Sequence, residues 1–390
     1  MKHILILGGD GYLGWPTAMY FSNHGYQVTV VDNYFRRKAC DDLNSTILFP
    51  IPNLFERARI WNEKTGYKIN VIIGDLSDPE FTRSLLDPSQ NSSDWIQPET
   101  VIHYAEQPSA PYSLINYQYA DITLINNLRV TNNILWAIRD YARDVHLIKL
   151  GTMGEYGTPN IDIEEGWIDI KHKGRSDKFL YPRQAGSLYH TTKIMDTDLL
   201  WFAVRMWNLK VTDLMQGPVY GVETEESKID DRLRTIFNYD EIFGTIINRF
   251  VVQSVVDYPL TVYGKGGQTR GYINIKDTLQ CVHKSEITPA SSGELRIFNQ
   301  ITETFSVNQL ANMIQEVGVQ RGHDVQIKHI ENPRKEMENH YYNPSYQGLS
   351  EIGVKPTLLS GGILNDLFKV VEEKKKSINK DIIFKGIKWD

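Results

Sequence analysis

Apolar and polar residues fall along this chain in blocks. Ile4-Leu5-Ile6-Leu7 is an unbroken apolar run, as expected of a parallel strand covered on both faces. Trp15 to His24 then reads as a helix closed by Gly25, and Gln27 to Val31 as a second strand. Ile69 to Ile73, Thr100 to Tyr104, the strand end His146-Leu147-Ile148-Lys149 and Val211 to Leu214 continue the series. Between the second and third strands lies an insertion, Asn33 to Lys68. Its Leu54, Phe55, Ala58 and Trp61 are helically spaced and predict a helix packed on the sheet edge. Asp121 to Ala142 carries Ile122, Ile125, Leu128, Ile134, Leu135 and Ile138 on one side, a stripe expected to be core or a seam between two copies. Leu199, Leu200, Phe202, Ala203 and Met206 mark a further helix that opens near Tyr189. Strands alternating with helices predict an α/β fold on a parallel sheet. No repeat, low-complexity tract or Pro/Gly-rich linker divides the chain. The expected domains, 1–215 and 216–390, are therefore interleaved, with some later chain returning to the first.

Glycines 8, 11 and 14 follow the first strand, in Gly8-Gly9-Asp10-Gly11-Tyr12-Leu13-Gly14. That spacing makes the tight turn by which backbone N–H groups approach a pyrophosphate at a helix N-terminus. The second strand ends in Asp32, whose carboxylate can accept from both ribose hydroxyls of an adenosine. It would repel a 2′-phosphate, which favours NAD over NADP. Arg36 and Arg37 stand past the strand end. Asp75 and Leu76 follow the third strand, where an aspartate can meet the adenine amino group, and Tyr104 ends the fourth. The predicted cofactor wall is Gly8, Gly11, Tyr12, Leu13, Gly14, Asp32, Asn33, Arg36, Asp75, Leu76 and Tyr104. The predicted fold is a Rossmann-type doubly wound parallel sheet with a smaller, interleaved C-terminal substrate domain.

Composition narrows the class further. A net charge of −6 leaves no basic footprint for nucleic acid. Two cysteines, Cys40 and Cys281, give neither a disulfide framework nor zinc spacing, so no metal is expected. No apolar run is long enough to span a bilayer. The strand-like Lys2 to Leu7 reaches glycine too soon for a secretory leader. The expected setting is cytoplasmic.

Candidate chemistry gathers in Leu150-Gly151-Thr152-Met153-Gly154-Glu155-Tyr156-Gly157 and in Tyr189-His190-Thr191-Thr192-Lys193. A spacing of four puts Tyr189 and Lys193 on one helix face, a turn apart. A phenol titrates at about pH 10 in isolation. An ammonium nearby and a positive nicotinamide both favour phenolate. Tyr189 could then take a sugar hydroxyl's proton while hydride leaves the same carbon. Lys193 would also hold the nicotinamide ribose, and Thr152 would share the hydroxyl's hydrogen bond.

These stretches resemble the extended short-chain dehydrogenases/reductases acting on nucleotide sugars and, within them, the UDP-sulfoquinovose synthases. The likeness covers nearly the whole chain. It is carried by Gly8 to Tyr12, Val31-Asp32-Asn33, Lys149 through Gly166, Leu260 through Gly271, and Phe298-Asn299-Gln300. Asn332-Pro333-Arg334 and His340-Tyr341-Tyr342-Asn343 add to it. The resemblance implies UDP-glucose and sulfite as substrates, tightly bound and recycled NAD, and a homodimer on the helices from Asp121 and Tyr189. It implies a C5/C6 dehydration set between oxidation and re-reduction at C4. Sugar 4,6-dehydratases carry Asp-Glu where Met153-Gly154 stand here. That leaves Glu155 as the expected base at C5 and His190 as the expected acid at the C6 oxygen. Implied substrate contacts are Gln107, Met153, Gln216, Val219, Asn248, Arg249, Gln268, Arg270 and Arg334. Pro108 stands where plant members carry arginine, which removes a cation from the loop after the fourth strand. The rival expectations are a 4-epimerase, a plain 4,6-dehydratase and a non-catalytic NAD-binding regulatory protein. A sulfite-delivering partner is left open.

Overall fold

The computed structural model describes residues 2–90, 95–333 and 340–387. The first half runs β1 (His3–Leu7), α1 (Gly14–Asn23), β2 (Gln27–Asp32), α2 (Phe35–Asp42), α3 (Leu54–Thr65), β3 (Ile69–Ile73), α4 (Pro79–Ser84), β4 (Thr100–His103), α5 (Tyr117–Tyr141) and β5 (His146–Thr152). A hairpin of β6 (Trp167–His172) and β7 (Arg175–Leu180) precedes α6 (Leu188–Trp207) and β8 (Lys210–Gln216). The second half adds β9 (Val219–Tyr220), α7 (Ile246–Val255), β10 (Leu260–Tyr263), β11 (Thr269–Asn274), α8 (Ile275–Ile287), β12 (Leu295–Gln300), β13 (Glu303–Ser306), α9 (Val307–Gln320), β14 (Ile327–Ile330), α10 (Gly348–Glu351) and α11 (Gly361–Glu372).

Seven strands form one sheet in the order β12-β8-β5-β4-β1-β2-β3, and every neighbouring pair is parallel. All five residues of β1 are buried, because helices cover both sheet faces. Leu5, Leu7, Val101, Leu147 and Val211 pack with α5 and α6 on one face. Ile4, Ile6, Ile102, Ile148 and Leu214 pack with α1 and α8 on the other. Strand order reverses between β1 and β4, so the carboxyl ends of these two strands open a crevice. β12 brings the second half of the chain back to the sheet edge, beside β8. A separate core of Phe250, Val251, Leu260, Leu310, Ile314 and Phe368 holds α7, α9 and α11 together.

Several elements depart from their expected form. The insertion carries two helices, α2 and α3. Leu54, Ile60 and Trp61 are fully buried against α1, and the Trp61 indole donates to Ser22 at 3.0 Å. α5 starts at Tyr117, four residues before the expected Asp121, because Asn116 caps it, accepting the Tyr119 N–H. The hairpin has no apolar signal to read, since residues 169–179 are all exposed. Its turn is set by Lys173 at φ 49° and Gly174 at φ 80°, the pair of positive dihedrals that a two-residue hairpin turn prefers. On α6, Leu200 and Ala203 lie in the core rather than on a seam, while Phe202 and Met206 stay exposed. No helix among the described residues is long and apolar enough to cross a membrane.

Candidate active site

A cavity of about 850 Å³ opens at the β1/β4 crevice and is lined by residues from both halves of the chain. Gly8, Gly11, Tyr12, Leu13, Gly14, Asp32, Asn33, Arg36, Asp75, Leu76 and Tyr104 all line it. Gly8 sits at φ 91°, and a Cβ there would lie 2.8 Å from the Tyr104 carbonyl carbon. A Cβ on Gly14 would overlap the Gly8 carbonyl oxygen. Side chains are thus excluded where a phosphate would approach the backbone. The Asp32 carboxylate accepts the Asp10 and Tyr34 N–H groups at 2.8 and 2.6 Å. Desolvation at the cavity wall, and then the Asp10 charge, push it up to about 6.

Neither neighbouring arginine competes with Asp32. Arg36 donates to Asn238 Oδ1 at 2.9 Å and lies 3.7 Å over the Phe243 ring. Arg37 makes a paired bond to Asp10, 2.8 Å on each arm, and the buried Arg57 holds the same carboxylate. The glycine cradle and the acid at the end of β2 fit a dinucleotide without a 2′-phosphate.

At the other end, β5 runs into a single turn, Met153–Glu155. Thr152 caps that turn: its Oγ1 accepts the Gly154 N–H at 3.2 Å, while Glu155 Oε1 accepts the Thr152 N–H at 3.2 Å. Thr152, Met153 and Gly154 line the cavity. Glu155 does not, and this corrects the expected base at C5. The capping bond turns its carboxylate back into the protein, where it is fully buried beside Thr197 at 3.2 Å and Arg183 at 3.6 Å. Burial pushes this carboxyl up to about 7.

His190 faces the cavity from the first turn of α6. A Cβ on Gly154 would overlap its imidazole, so the residue that departs from the dehydratase pattern makes room for the ring. Ser187 caps α6, accepting the His190 N–H at 3.2 Å and meeting His190 Nδ1 at 2.9 Å.

Tyr189 also lines the cavity. Its phenol is pushed well above its ordinary value, by desolvation first and by the Glu106 carboxylate second, with Lys149 opposing. The expected lowering by Lys193 is not what the geometry gives. Lys193 lies behind the wall, its ammonium bound to Glu106 and, at 2.5 Å, to the Leu150 carbonyl.

A buried square of charge stands there. Lys149 Nζ lies 3.2 Å from Glu106 and 3.1 Å from Asp196, and Asp196 lies 3.9 Å from Lys193. Burial pushes the Glu106 carboxyl up, but the two ammonium groups overcome it and hold it well below the usual range. Burial raises Asp196 well above that range and lowers Lys193. A lone lysine in the apolar run 146–150 was the available sequence signal for this cluster.

Gln216, Val219, Asn248, Arg249, Gln268 and Arg270 line the far end of the cavity. Asn248 accepts the Gly221 N–H at 2.9 Å, and Arg270 meets His340 Nε2 at 2.9 Å. The Arg249 Nε and Gln268 Oε1 are buried without a hydrogen-bond partner. Gln107 is a second correction. It is fully buried outside the cavity, its amide held by Thr123 at 2.8 Å and by the Ser109 carbonyl at 2.9 Å, so it shapes the loop after β4. Arg334 lies outside the described residues. The segment with Asn238, Glu241, Phe243 and Gly244 also lines the cavity, and no spacing in the sequence marked it.

The chain matches the model of the NAD dependent epimerase/dehydratase family over residues 4–299. It is 45% identical to the chloroplastic UDP-sulfoquinovose synthase of Spinacia oleracea, over 100% of this chain and 79% of that protein. It is 41% identical to the UDP-sulfoquinovose synthase of Sulfolobus acidocaldarius, over 90% and 88%. Its fold resembles that of a Bacillus cereus UDP-glucuronic acid 4-epimerase solved with UDP-glucuronic acid and NAD. The TM-score is 0.70 at 18% identity, covering 95% of this chain and 99% of that one.

Proposed function

The chain belongs to the NAD dependent epimerase/dehydratase family, and from that premise we propose that it joins sulfite to UDP-glucose to make UDP-sulfoquinovose. The observation that carries this reading is the identity of 45% and 41% to two synthases along nearly the whole chain. Residues 1–215 would hold NAD and 216–390 would close over the UDP, with Asn248, Arg249, Gln268 and Arg270 on the nucleotide. A cytoplasmic setting goes with this reading.

Bound NAD supplies the acceptor, and later the donor, of a hydride at C4. Thr152 and Tyr189 hold the C4 hydroxyl. Tyr189, made phenolate by the positive nicotinamide beside it, takes that hydroxyl's proton as the hydride leaves C4 and keeps it while C4 is a ketone. That ketone acidifies the C5 proton. His190, the titratable side chain beside Thr152 and Gly154 on the cavity wall, takes this proton. It delivers it to the C6 hydroxyl, which leaves as water. Bisulfite then adds its sulfur lone pair to C6 of the enone, and its proton reaches C5 through His190. Tyr189 returns its proton to the C4 oxygen. Glucose has exchanged its C6 hydroxyl for a sulfonate, with no net redox. A homodimer, packed through the exposed residues of α5 and α6, is part of the reading.

Mass spectrometry of UDP-glucose incubated with the protein, with and without sulfite, tests this. The expected result is a sulfonated product that needs sulfite and is lost in Tyr189→Phe. A dehydrated keto sugar regardless of sulfite, or an isomer of unchanged mass, would contradict it.

A further inference from the structure

Behind the turn at Met153–Glu155 stands a row of buried side chains that the cavity does not use. Thr197 Oγ1 lies 2.8 Å from Asp213 Oδ2 and 3.2 Å from Glu155 Oε2, and all three residues are fully buried. A threonine hydroxyl owns one proton and gives it to one acceptor at a time. With both carboxylates ionised, one of them faces only lone pairs across the shared oxygen, an arrangement strongly disfavoured in the interior.

The surroundings do not repair this. Asp213 Oδ1 has no hydrogen-bond partner and sits where a Cβ on Gly151 would come within 2.6 Å. Glu155 is faced by Lys149 from β5, Asp213 from β8, Lys193 and Asp196 from α6, and Arg183 after β7. Glu106 after β4 and the phenols of Tyr156 and Tyr189 complete the set. Asp196 is itself held well above the usual carboxylate range by burial, so it is the shared Thr197 hydroxyl that singles out Glu155 and Asp213.

We propose that Glu155 and Asp213 share one proton across Thr197. Holding that proton makes Glu155 the positioning residue that keeps the Thr152–Gly154 turn set against the substrate. When the proton is lost, two negative charges converge on one hydroxyl. Glu155 is driven toward Arg183, and its bond to the Thr152 N–H loosens. Burial lifts the Glu155 carboxyl to about 7, which puts this change in the neutral range. The activity readout rests on the function proposed above; the proton itself does not.

Glu155→Gln is the decisive variant. Its amide oxygen can still accept the Thr152 N–H, and its amide nitrogen can donate to Thr197, whose proton then goes to Asp213. It copies the protonated carboxyl at every pH. Difference infrared titration of the NAD-loaded protein should show a protonated-carboxyl band that bleaches near neutral pH in the wild type and is missing from Glu155→Gln. The kcat of the wild type, with UDP-glucose and sulfite, should fall across the same midpoint, and the variant should lose that alkaline limb. Asp213→Asn should lose it too, and serves if Glu155→Gln does not fold. An unchanged band and limb in both variants would overturn the proposal. So would a folded Glu155→Gln inactive at every pH, because Glu155 would then act on the substrate itself. Wild type with the band but no sulfonated product would support the shared proton and sink the proposed function instead.

Discussion

A hydrogen atom in place of a side chain at position 154 decides which group faces the cavity at the end of β5. Gly154 lets the His190 ring pack against the turn, and the cap formed by Thr152 withdraws Glu155 from the cavity. The Thr-x-x-Glu spacing that makes this cap stands openly in the sequence, yet its glutamate reads equally well as a base. Chemistry and capping use the same residue types, and only the direction of the carboxylate separates them. If His190 carries the C5 proton, His190→Gln should abolish exchange of solvent deuterium into C5 of the sugar. Such exchange loses about 10²–10⁴ in rate when a positioned base is removed. Wild-type exchange in that variant, followed by NMR, would move the role elsewhere.

Six of the seven strands of the central sheet were legible because a parallel sheet covered on both faces favours apolar runs, as at Ile4–Leu7; β12 carried no such signal and was not among them. The β6–β7 hairpin was not, because its strands lie in solvent and carry no periodic burial. Lys149 breaks the rule from inside a strand, and it does so with partners after β4 and on α6. Replacing a buried ion pair by apolar residues is often neutral or stabilising, whereas removing one partner strands the other. Lys149→Met should therefore lower unfolding free energy by about 3–5 kcal/mol in urea. Lys149→Met with Asp196→Leu should recover part of that loss. Equal loss in both would show that the charges do not compensate each other.

Glu155 gives these elements a pH signature. Its folded carboxyl, at about 7, lies above the ordinary value of 4.5, so the folded state binds the proton more tightly than the unfolded chain does. Its contribution is fully present below about pH 4.5 and declines as pH rises toward about 7, then stays level. Glu155→Gln should lack this decline when Tm is followed over that window. A parallel decline in both proteins would assign it to other groups.

The whole molecule is organised by one cavity reached from both halves. Its cofactor end could be read from glycines and one aspartate, because phosphate and ribose demand fixed backbone spacing. Much of its substrate end could not. Asn238, Glu241 and Phe243 come from an irregular stretch whose shape is set by packing against α2 and α5, and irregular backbone has no period to read. Outside the cavity, Ile125 and Trp136 of α5 and Phe202 and Met206 of α6 are large and exposed. Phe202→Asp combined with Met206→Asp should convert a dimer to a monomer by light scattering. A wild-type monomer would remove the basis of that prediction.

The central claim is that C4 is oxidised and restored within one turnover while C6 gains a sulfonate. UDP-glucose deuterated at C4, turned over with sulfite, tests it most directly. The account predicts a sulfonated sugar nucleotide that keeps its deuterium at C4. A sulfonated product with protium at C4, or deuterium retained with no sulfonation, would contradict it.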